Sequence, residues 1–237
     1  MYSDAYFYGK SGYEPCQDYA IAFPGDVRLS DGCGSCQRSD IGSRLLCLYG
    51  GDAEQLSILL KENVFFNQED FYATYLSLKV NGFNDIISKV EGDGFLIEVN
   101  SKTKQFHYTR YFYPENAPKY PIYEFLDKSV MEEWKKQFPD NYRESEYYYN
   151  NDKIDFSKSI ELESINPNIY LISSDGLESF VDSNGSKIPF QDVIIKLIDF
   201  KCLNGEFIKR RMIAFRRECD KLGWKNLDDV SVGGISK

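Results

Sequence analysis

At 237 residues, set against a prior of about 150 per domain, the chain has the size of one large domain, and 42% hydrophobic with 27% charged residues excludes wholesale disorder. Its 18 Tyr and 17 Phe tilt the expectation toward strands and away from a purely helical bundle. Thirty-seven acidic against 28 basic residues give a net charge of −9, a field that repels phosphate backbones and anionic membrane surfaces, so neither nucleic acid nor membrane is an expected partner.

No apolar run approaches the ~20 residues of a membrane helix. Met1-Tyr2-Ser3-Asp4 lacks the basic start and apolar stretch of a signal peptide, which predicts a cytoplasmic protein. The six cysteines read as reduced thiols rather than as a disulfide framework. Nothing repeats at a fixed period and no Gly/Ser- or Pro-rich linker divides the chain, so residues 1–237 are expected to form a single domain.

In chain order, aromatic and β-branched runs predict strands at Ala5–Tyr8, Tyr19–Phe23 and Val27–Leu29. A polar, helix-like stretch follows around Ser39-Asp40-Ile41-Gly42. Asp52, with Gln55 three residues on, resembles an acidic capping box and opens a helix carrying Leu56, Leu59 and Leu60. Strands are expected next at Tyr72–Val80, Ile86–Val90, Phe95–Val99 and Phe106–Phe112. An irregular excursion at about 113–155 comes after them, where Asn116-Ala117-Pro118 and Tyr147-Tyr148-Tyr149-Asn150-Asn151-Asp152 bracket a short helix around Met131–Gln137. Strands at Ile169–Ser173 and Val230–Gly233 follow. Between them Ile208, Met212, Phe215, Cys219 and Leu222, at steps of four, three, four and three, make one apolar helical stripe. Lys209, Arg210, Arg216 and Arg217 fall on its opposite face, read as solvated. Strands grouped early and again late, with helices between, indicate an α+β fold of antiparallel sheets with helices outside, not alternating βαβ units.

Three times an apolar strand runs straight into Asp-Gly: Asp31-Gly32, Asp93-Gly94 and Asp175-Gly176. A hairpin turn explains such a pair blandly, above all at Asp93-Gly94, which has strands on both sides. The other two run into helix-like segments and read as strand ends that present a carboxylate. Asp18 stands just before the second strand, and Asp228-Asp229 just before the last. Carboxylates converging at sheet ends repel one another unless cations neutralise them. Oxygen ligands, with few imidazoles or thiolates, favour Mg²⁺ or Mn²⁺ over Zn²⁺ or Cu.

Gln17-Asp18-Tyr19-Ala20, Leu29-Ser30-Asp31-Gly32-Cys33-Gly34-Ser35, Gly92-Asp93-Gly94, Ile172-Ser173-Ser174-Asp175-Gly176-Leu177 and Leu227-Asp228-Asp229-Val230-Ser231-Val232 together resemble the ordered motifs of the metal-dependent protein phosphatases of the 2C type, over almost the whole chain. The resemblance implies two packed antiparallel sheets flanked by helices, a four-layer αββα sandwich, with two Mn²⁺ or Mg²⁺ ions in the cleft at one end. It implies that Asp31 bridges both ions, that Gly32 offers its carbonyl, that Asp175 and Asp228 complete the first ion, and that Asp18 holds water on the metal from behind. Asp93, with Asp175, would bind a third ion. The activity implied is hydrolysis of phosphoserine or phosphothreonine in a phosphorylated protein, by water bridging the two ions and without a phosphoenzyme. Tyr13 stands where family members commonly place a phosphate-binding arginine, which leaves Lys10 as the candidate cation for the substrate phosphate. Cys33 stands where many eukaryotic members have histidine, and Ser179 where an acid is sometimes found.

Other readings compete. A phosphatase-like binding or regulatory module would keep the fold and use its cleft, or the 113–155 excursion, to recognise a partner. Cys33-Gly34-Ser35-Cys36 is a C-x-x-C before an expected helix, as in thiol redox proteins, although the βαβ setting is missing. A zinc site on Cys33, Cys36 and Cys47 lacks a fourth ligand at the usual spacing. The one histidine, His107, sits in an alternating strand and is assigned no role.

Overall fold

The computed structural model describes residues 1–10, 15–113, 118–126, 128–137, 142–149, 152–153 and 166–237, and in it two antiparallel sheets lie face to face. The larger has the order β1 (Tyr2–Tyr8), β13 (Val230–Ser236), β10 (Ile169–Ser173), β6 (Gly94–Val99), β7 (Phe106–Phe112), β8 (Tyr142–Tyr149) and β9 (Asp152–Lys153). The smaller runs β2 (Tyr19–Phe23), β3 (Asp26–Ser30), β4 (Tyr75–Val80) and β5 (Ile86–Glu91). A two-stranded ribbon joins β11 (Phe180–Val181) to β12 (Lys225–Asn226). The described helices are α1 (Ser39–Leu48), α2 (Ala53–Glu62), α3 (Lys128–Gln137), α4 (Phe190–Leu197) and α5 (Phe207–Leu222).

The two-residue period of the strands builds the layers. Ile169 and Leu171 of β10, Phe95, Ile97 and Val99 of β6, and Val230 and Val232 of β13 face outward onto Val193, Ile194, Leu197, Ile208, Met212 and Phe215 of α4 and α5. Their alternate neighbours, Ile172 and Ile235 with the partly buried Leu96, face inward onto Val27, Leu29, Leu76 and Leu78 of the smaller sheet. The other side of that sheet is covered by α1 and α2, where Leu46, Ala53 and Leu56 pack with Phe71, Ala73 and Tyr75. Helix, sheet, sheet and helix therefore make the four layers expected. Each fully buried Leu, Ile or Phe contributes roughly 1.5–3 kcal/mol. No helix among the described residues is long and apolar enough to cross a membrane.

Differences from the expected elements have local causes. β4 begins at Tyr75 rather than Tyr72, because Gln68–Phe71 closes a 3₁₀ turn in which the Asn67 N–H donates to Asp70 Oδ2 at 2.9 Å. β1 and β13 are longer than expected because they pair with each other along their whole lengths, Tyr2 opposite Ser236 through Tyr8 opposite Val230. The excursion is more regular than expected. Its helix starts at Lys128, and β8 and β9 extend the larger sheet beyond β7. Of its bracketing residues, Asn116, Ala117, Asn150 and Asn151 lie outside the described residues. The Asp93-Gly94 pair makes no hairpin: β5 belongs to one sheet and β6 to the other, so the chain crosses the sandwich there. Leu222 is exposed, since α5 ends on it and Gly223 turns away in the left-handed conformation at φ 72°.

α5 also buries a cation that its apolar stripe did not announce. Arg211 is 6% exposed. Its Nε donates to Lys196 O and Leu197 O at 3.2 and 3.1 Å, satisfying carbonyls at the end of α4, and its guanidinium grips Glu218 at 2.8 and 2.9 Å. Arg211→Ala is expected to cost about 2–3 kcal/mol, because it strands those carbonyls without donors. Urea unfolding would read the loss as a lower midpoint at unchanged slope.

Candidate functional site

The register brings strand ends of both sheets to one edge of the sandwich. Asp31 follows β3, Asp93 lies between β5 and β6, Asp175 follows β10 and Asp228 precedes β13. All four carboxylates line a single cavity of about 250 Å³, together with Gly32, Cys33, Thr74, Pro118 and Tyr120. The excursion thus supplies part of the wall, and Tyr120 is held there by stacking on Tyr72 at 5.5 Å.

The chain around each carboxylate is tied down. The Asp31 N–H donates to Thr74 Oγ1 at 3.1 Å, and the Thr74 N–H donates back to Asp31 O at 2.8 Å. Gly32 is required by close approach: a Cβ there would lie 2.9 Å from Gln17 O and 2.8 and 2.9 Å from the hydroxyls of Ser39 and Ser43. Gly176 is tighter still, with the backbone oxygen of Asp229 only 1.7 Å from where a Cβ would stand. The glycine after each of these aspartates therefore lets neighbouring segments come together.

Asp228 and Asp229 have separate roles. Asp228 is exposed at the cavity, whereas Asp229 is buried and accepts the N–H groups of Lys10 and Gln17 at 2.8 and 2.5 Å. Ser179 fixes the Asp228 loop: its hydroxyl donates to Gly176 O at 2.7 Å and accepts from the N–H groups of Leu227 and Asp228 at 3.2 and 3.1 Å. Reading Ser179 only as a missing acid overlooked this. The Arg110 guanidinium, 2.6 Å from Glu178, is a second residue passed over in the sequence; its charge steadies Asp93 and Asp175.

Electrostatics mark the cluster as short of positive charge. Burial, then repulsion from Asp18, Asp175 and Asp93, pushes the Asp31 carboxyl well above the usual carboxylate range. Burial raises Asp18 to about 7 against the hydrogen bond it accepts from Ser174 Oγ at 2.7 Å. Burial, then the charge of Asp175, raises Asp93 to about 7. Asp175 is raised as well, by burial and by Asp228 and Glu178. Asp31 stands within hydrogen-bonding reach of both Asp18 and Asp175, while the buried Asp18 Oδ1 receives no N–H or hydroxyl donor. Carboxyls approach so closely only with a proton or a cation between them. A donor set made of oxygens, with one oxygen orphaned behind it, fits Mg²⁺ or Mn²⁺ in kind. Among the described residues no group of three or more His, Cys, Asp or Glu side chains stands close enough together, as placed, to hold a metal ion.

These shifts set a pH dependence for protein stripped of divalent cations. In the unfolded chain the same aspartates titrate near 3.9. Between about pH 4 and 7 the folded state therefore holds protons that the unfolded state has released, and stability falls as pH rises through that window. Thermal unfolding in chelator is expected to show a lower Tm at pH 7.5 than at pH 5; a flat or rising Tm would refute the charge repulsion.

Other candidates are placed elsewhere. Lys10 lines another cavity with Tyr8, Arg216, Trp224 and Lys225, and among the described residues no lysine or arginine lines the acidic one. Tyr13 lies outside the described residues. His107 Nδ1 pairs with Glu98 across the strands at 2.9 Å. All six cysteines are free thiols. Cys47 stands near the far end of α1, about 12 Å along the helix from Ser39, with its thiol on Tyr19 O, so it does not join Cys33 and Cys36 in a zinc site.

No protein-family model matches the sequence, and no curated protein matches it. Solved structures do match, over essentially the whole chain. The Mycobacterium tuberculosis serine/threonine phosphatase PstP/Ppp is 12% identical, with 100% of this chain and 98% of that one covered at a TM-score of 0.50. The PPM Ser-Thr phosphatase MsPP from Mycobacterium smegmatis, in complex with cacodylate, is 14% identical with the same coverage at 0.46. The catalytic domain of PstP with two manganese ions is 12% identical, with 99% and 97% covered, at 0.48. With two packed antiparallel sheets between helical layers and four aspartates at one edge, the chain has the fold of the PPM, or 2C-type, serine/threonine phosphatases.

Proposed function

We propose that this protein is a phosphomonoester hydrolase dependent on Mn²⁺ or Mg²⁺, acting on phosphoserine or phosphothreonine in proteins. The observation that carries the reading is the meeting of Asp31, Asp93, Asp175 and Asp228, from four separate segments, on one cavity wall, with Asp18 buried 1% exposed beneath them. Asp31, between Asp18 and Asp175, would be the shared ligand of such ions. The Gly32 carbonyl, Asp175 and Asp228 would complete the set, and Asp93 with Asp175 would offer a third position. When bound, such ions neutralise phosphoryl oxygens and make water acidic enough for in-line attack on phosphorus.

The protein's own groups do the rest. Asp18 Oδ2 is held by Ser174, which leaves Oδ1 as the acceptor for a proton of water entering from the Asp31 side. Thr74 and Ser179 keep Asp31 and Asp228 in register through their backbones. No histidine is placed to protonate the leaving alcohol, so solvent at the open mouth supplies that proton.

Ser179→Ala is expected to weaken Mn²⁺ binding about 10–100-fold, as loss of a group that orients a ligand does, with little change in fold; titration calorimetry would read it. The hydrolase itself is tested by phosphate release from a phosphothreonine peptide and from p-nitrophenyl phosphate with Mn²⁺, with Mg²⁺ and with chelator. Release that appears with either cation and vanishes with chelator supports the reading; equal release in chelator counts against it. The absence of lysine and arginine from the described residues of the cavity lining favours one second reading, a catalytically weak module that binds phosphoprotein. Such a module would bind the phosphopeptide and release nothing.

A further inference from the structure

We infer that Cys33 and Cys36 form a peroxide-oxidisable dithiol on the rim of the acidic cavity, which closes to a disulfide and reversibly lowers turnover. The regulatory half rests on the hydrolase reading; the dithiol does not.

The loop between β3 and α1 separates two cavities. Cys33 lines the acidic one, and Cys36 lines a second of about 250 Å³ with Pro15, Gln17 and Gln37. The Cys36 N–H donates to Cys33 O at 2.9 Å, the bond of a tight turn, which holds residues i and i+3 within about 7 Å between Cα atoms. Disulfides form at Cα separations of about 4.4–6.8 Å. The Ser35 hydroxyl bridges the two thiols, 3.1 Å from Cys33 Sγ and 4.0 Å from Cys36 Sγ, and the thiols stand within hydrogen-bonding reach of each other. The backbone is pinned in this shape from outside. The Cys33 N–H donates to Tyr72 O at 2.8 Å, the Ser39 hydroxyl donates to Cys33 O at 2.9 Å, and the Gln17 amide donates to both Cys33 O and Cys36 O. The other thiols are engaged elsewhere or distant: Cys16 donates to Asp18 O and Cys47 to Tyr19 O.

The chemistry balances with one hydroperoxide. The Cys33 sulfur attacks a peroxide oxygen, the O–O bond breaks, water leaves and a sulfenic acid remains. The Cys36 sulfur then displaces that hydroxyl as a second water. Two thiols are oxidised to one disulfide while one H₂O₂ is reduced to two waters. Closure draws Cys33 Sγ off the cavity wall and away from Tyr120, its other hydrogen-bond partner. It also pulls on the peptide after Gly32, where the surrounding atoms leave no slack.

The test treats folded protein holding Mn²⁺ with H₂O₂, blocks remaining thiols, and reads mass and turnover with and without later dithiothreitol. The expected result is a loss of about 2 Da, the two thiol hydrogens, in the peptide holding Cys33 and Cys36, with turnover falling several-fold and restored by the reductant. In Cys36→Ser the mass loss disappears and dimedone labels Cys33 instead. Full alkylation of both cysteines after peroxide, or a bond to Cys16, Cys47, Cys202 or Cys219, would overturn the dithiol. A disulfide that leaves turnover unchanged would overturn the switch. Reduced protein with no turnover at all would overturn the hydrolase and the switch together, while the mass shift would still decide the dithiol.

Discussion

Asp31→Asn is expected to abolish cation-dependent turnover and, in the same protein, to raise the stability of the metal-free fold. The change keeps the shape of the side chain and removes one charge. Its carboxyl stands within reach of Asp18 and Asp175 and feels Asp93, and on the proposed reading it would be the ligand shared by two ions. Without it the charge that would neutralise the phosphoryl oxygens is lost, which raises the barrier by several kcal/mol, or lowers the rate about 10³-fold at about 4 kcal/mol. Burial, then repulsion from Asp18, Asp175 and Asp93, disfavours the charged form of the same carboxylate, and relieving a destabilised site commonly gains about 0.5–2 kcal/mol. Steady-state kinetics with Mn²⁺ and thermal unfolding in chelator would show the two effects moving in opposite directions. Retained turnover would remove Asp31 from the mechanism, and a lower Tm would show that its charge is not a liability.

Gly176→Ala is expected to give the largest structural effect of any single methyl group. A Cβ at that position falls 1.7 Å from the Asp229 backbone oxygen, and backbone cannot rotate away as a side chain can. Overpacking costs typically 1–3 kcal/mol and occasionally more; contact this short places the cost at about 3 kcal/mol or above. At about 2–4 °C per kcal/mol for a chain of this size, Tm falls by about 6–12 °C. The segment it displaces carries both Asp228 and Asp229, so Mn²⁺ affinity is expected to fall with it. A Tm within 1–2 °C of the parent would mean that the two segments can part at little cost, below about 1 kcal/mol.

The parts of this fold written in local periodicity were legible in the sequence. The mostly apolar run from Phe95 to Val99 announced a strand, which the fold covers on both faces, and the three- and four-residue steps from Ile208 to Cys219 announced the covered face of α5. The carboxylates were legible for another reason, since Asp-Gly at a strand end is a compact and recognisable device. What stayed hidden depends on partners remote in the chain. β8 pairs with β7 across some thirty intervening residues, and nothing in Tyr142–Tyr149 alone says that a sheet edge awaits it. The Asp93-Gly94 turn looked like a hairpin because sequence does not say which sheet each strand joins. Ser179 and Thr74 work through backbone atoms of distant loops, and hydroxyl residues carry no sign of such work in their spacing. Arg110 was read as one more strand residue, although its guanidinium meets Glu178 beside the acidic cavity.

One experiment bears most directly on the carboxylate cluster as a cation site that hydrolyses phosphoesters. Mn²⁺ bound per chain and phosphate released from a phosphothreonine peptide would be measured in the same samples, for the parent protein and for Asp228→Ala, which alters a side chain exposed at the cavity and should leave the fold intact. The account predicts bound Mn²⁺ and turnover that rise together in the parent and are lost together in the variant. Equal turnover in the two proteins, or a folded parent that binds no Mn²⁺ and releases phosphate nonetheless, would contradict it.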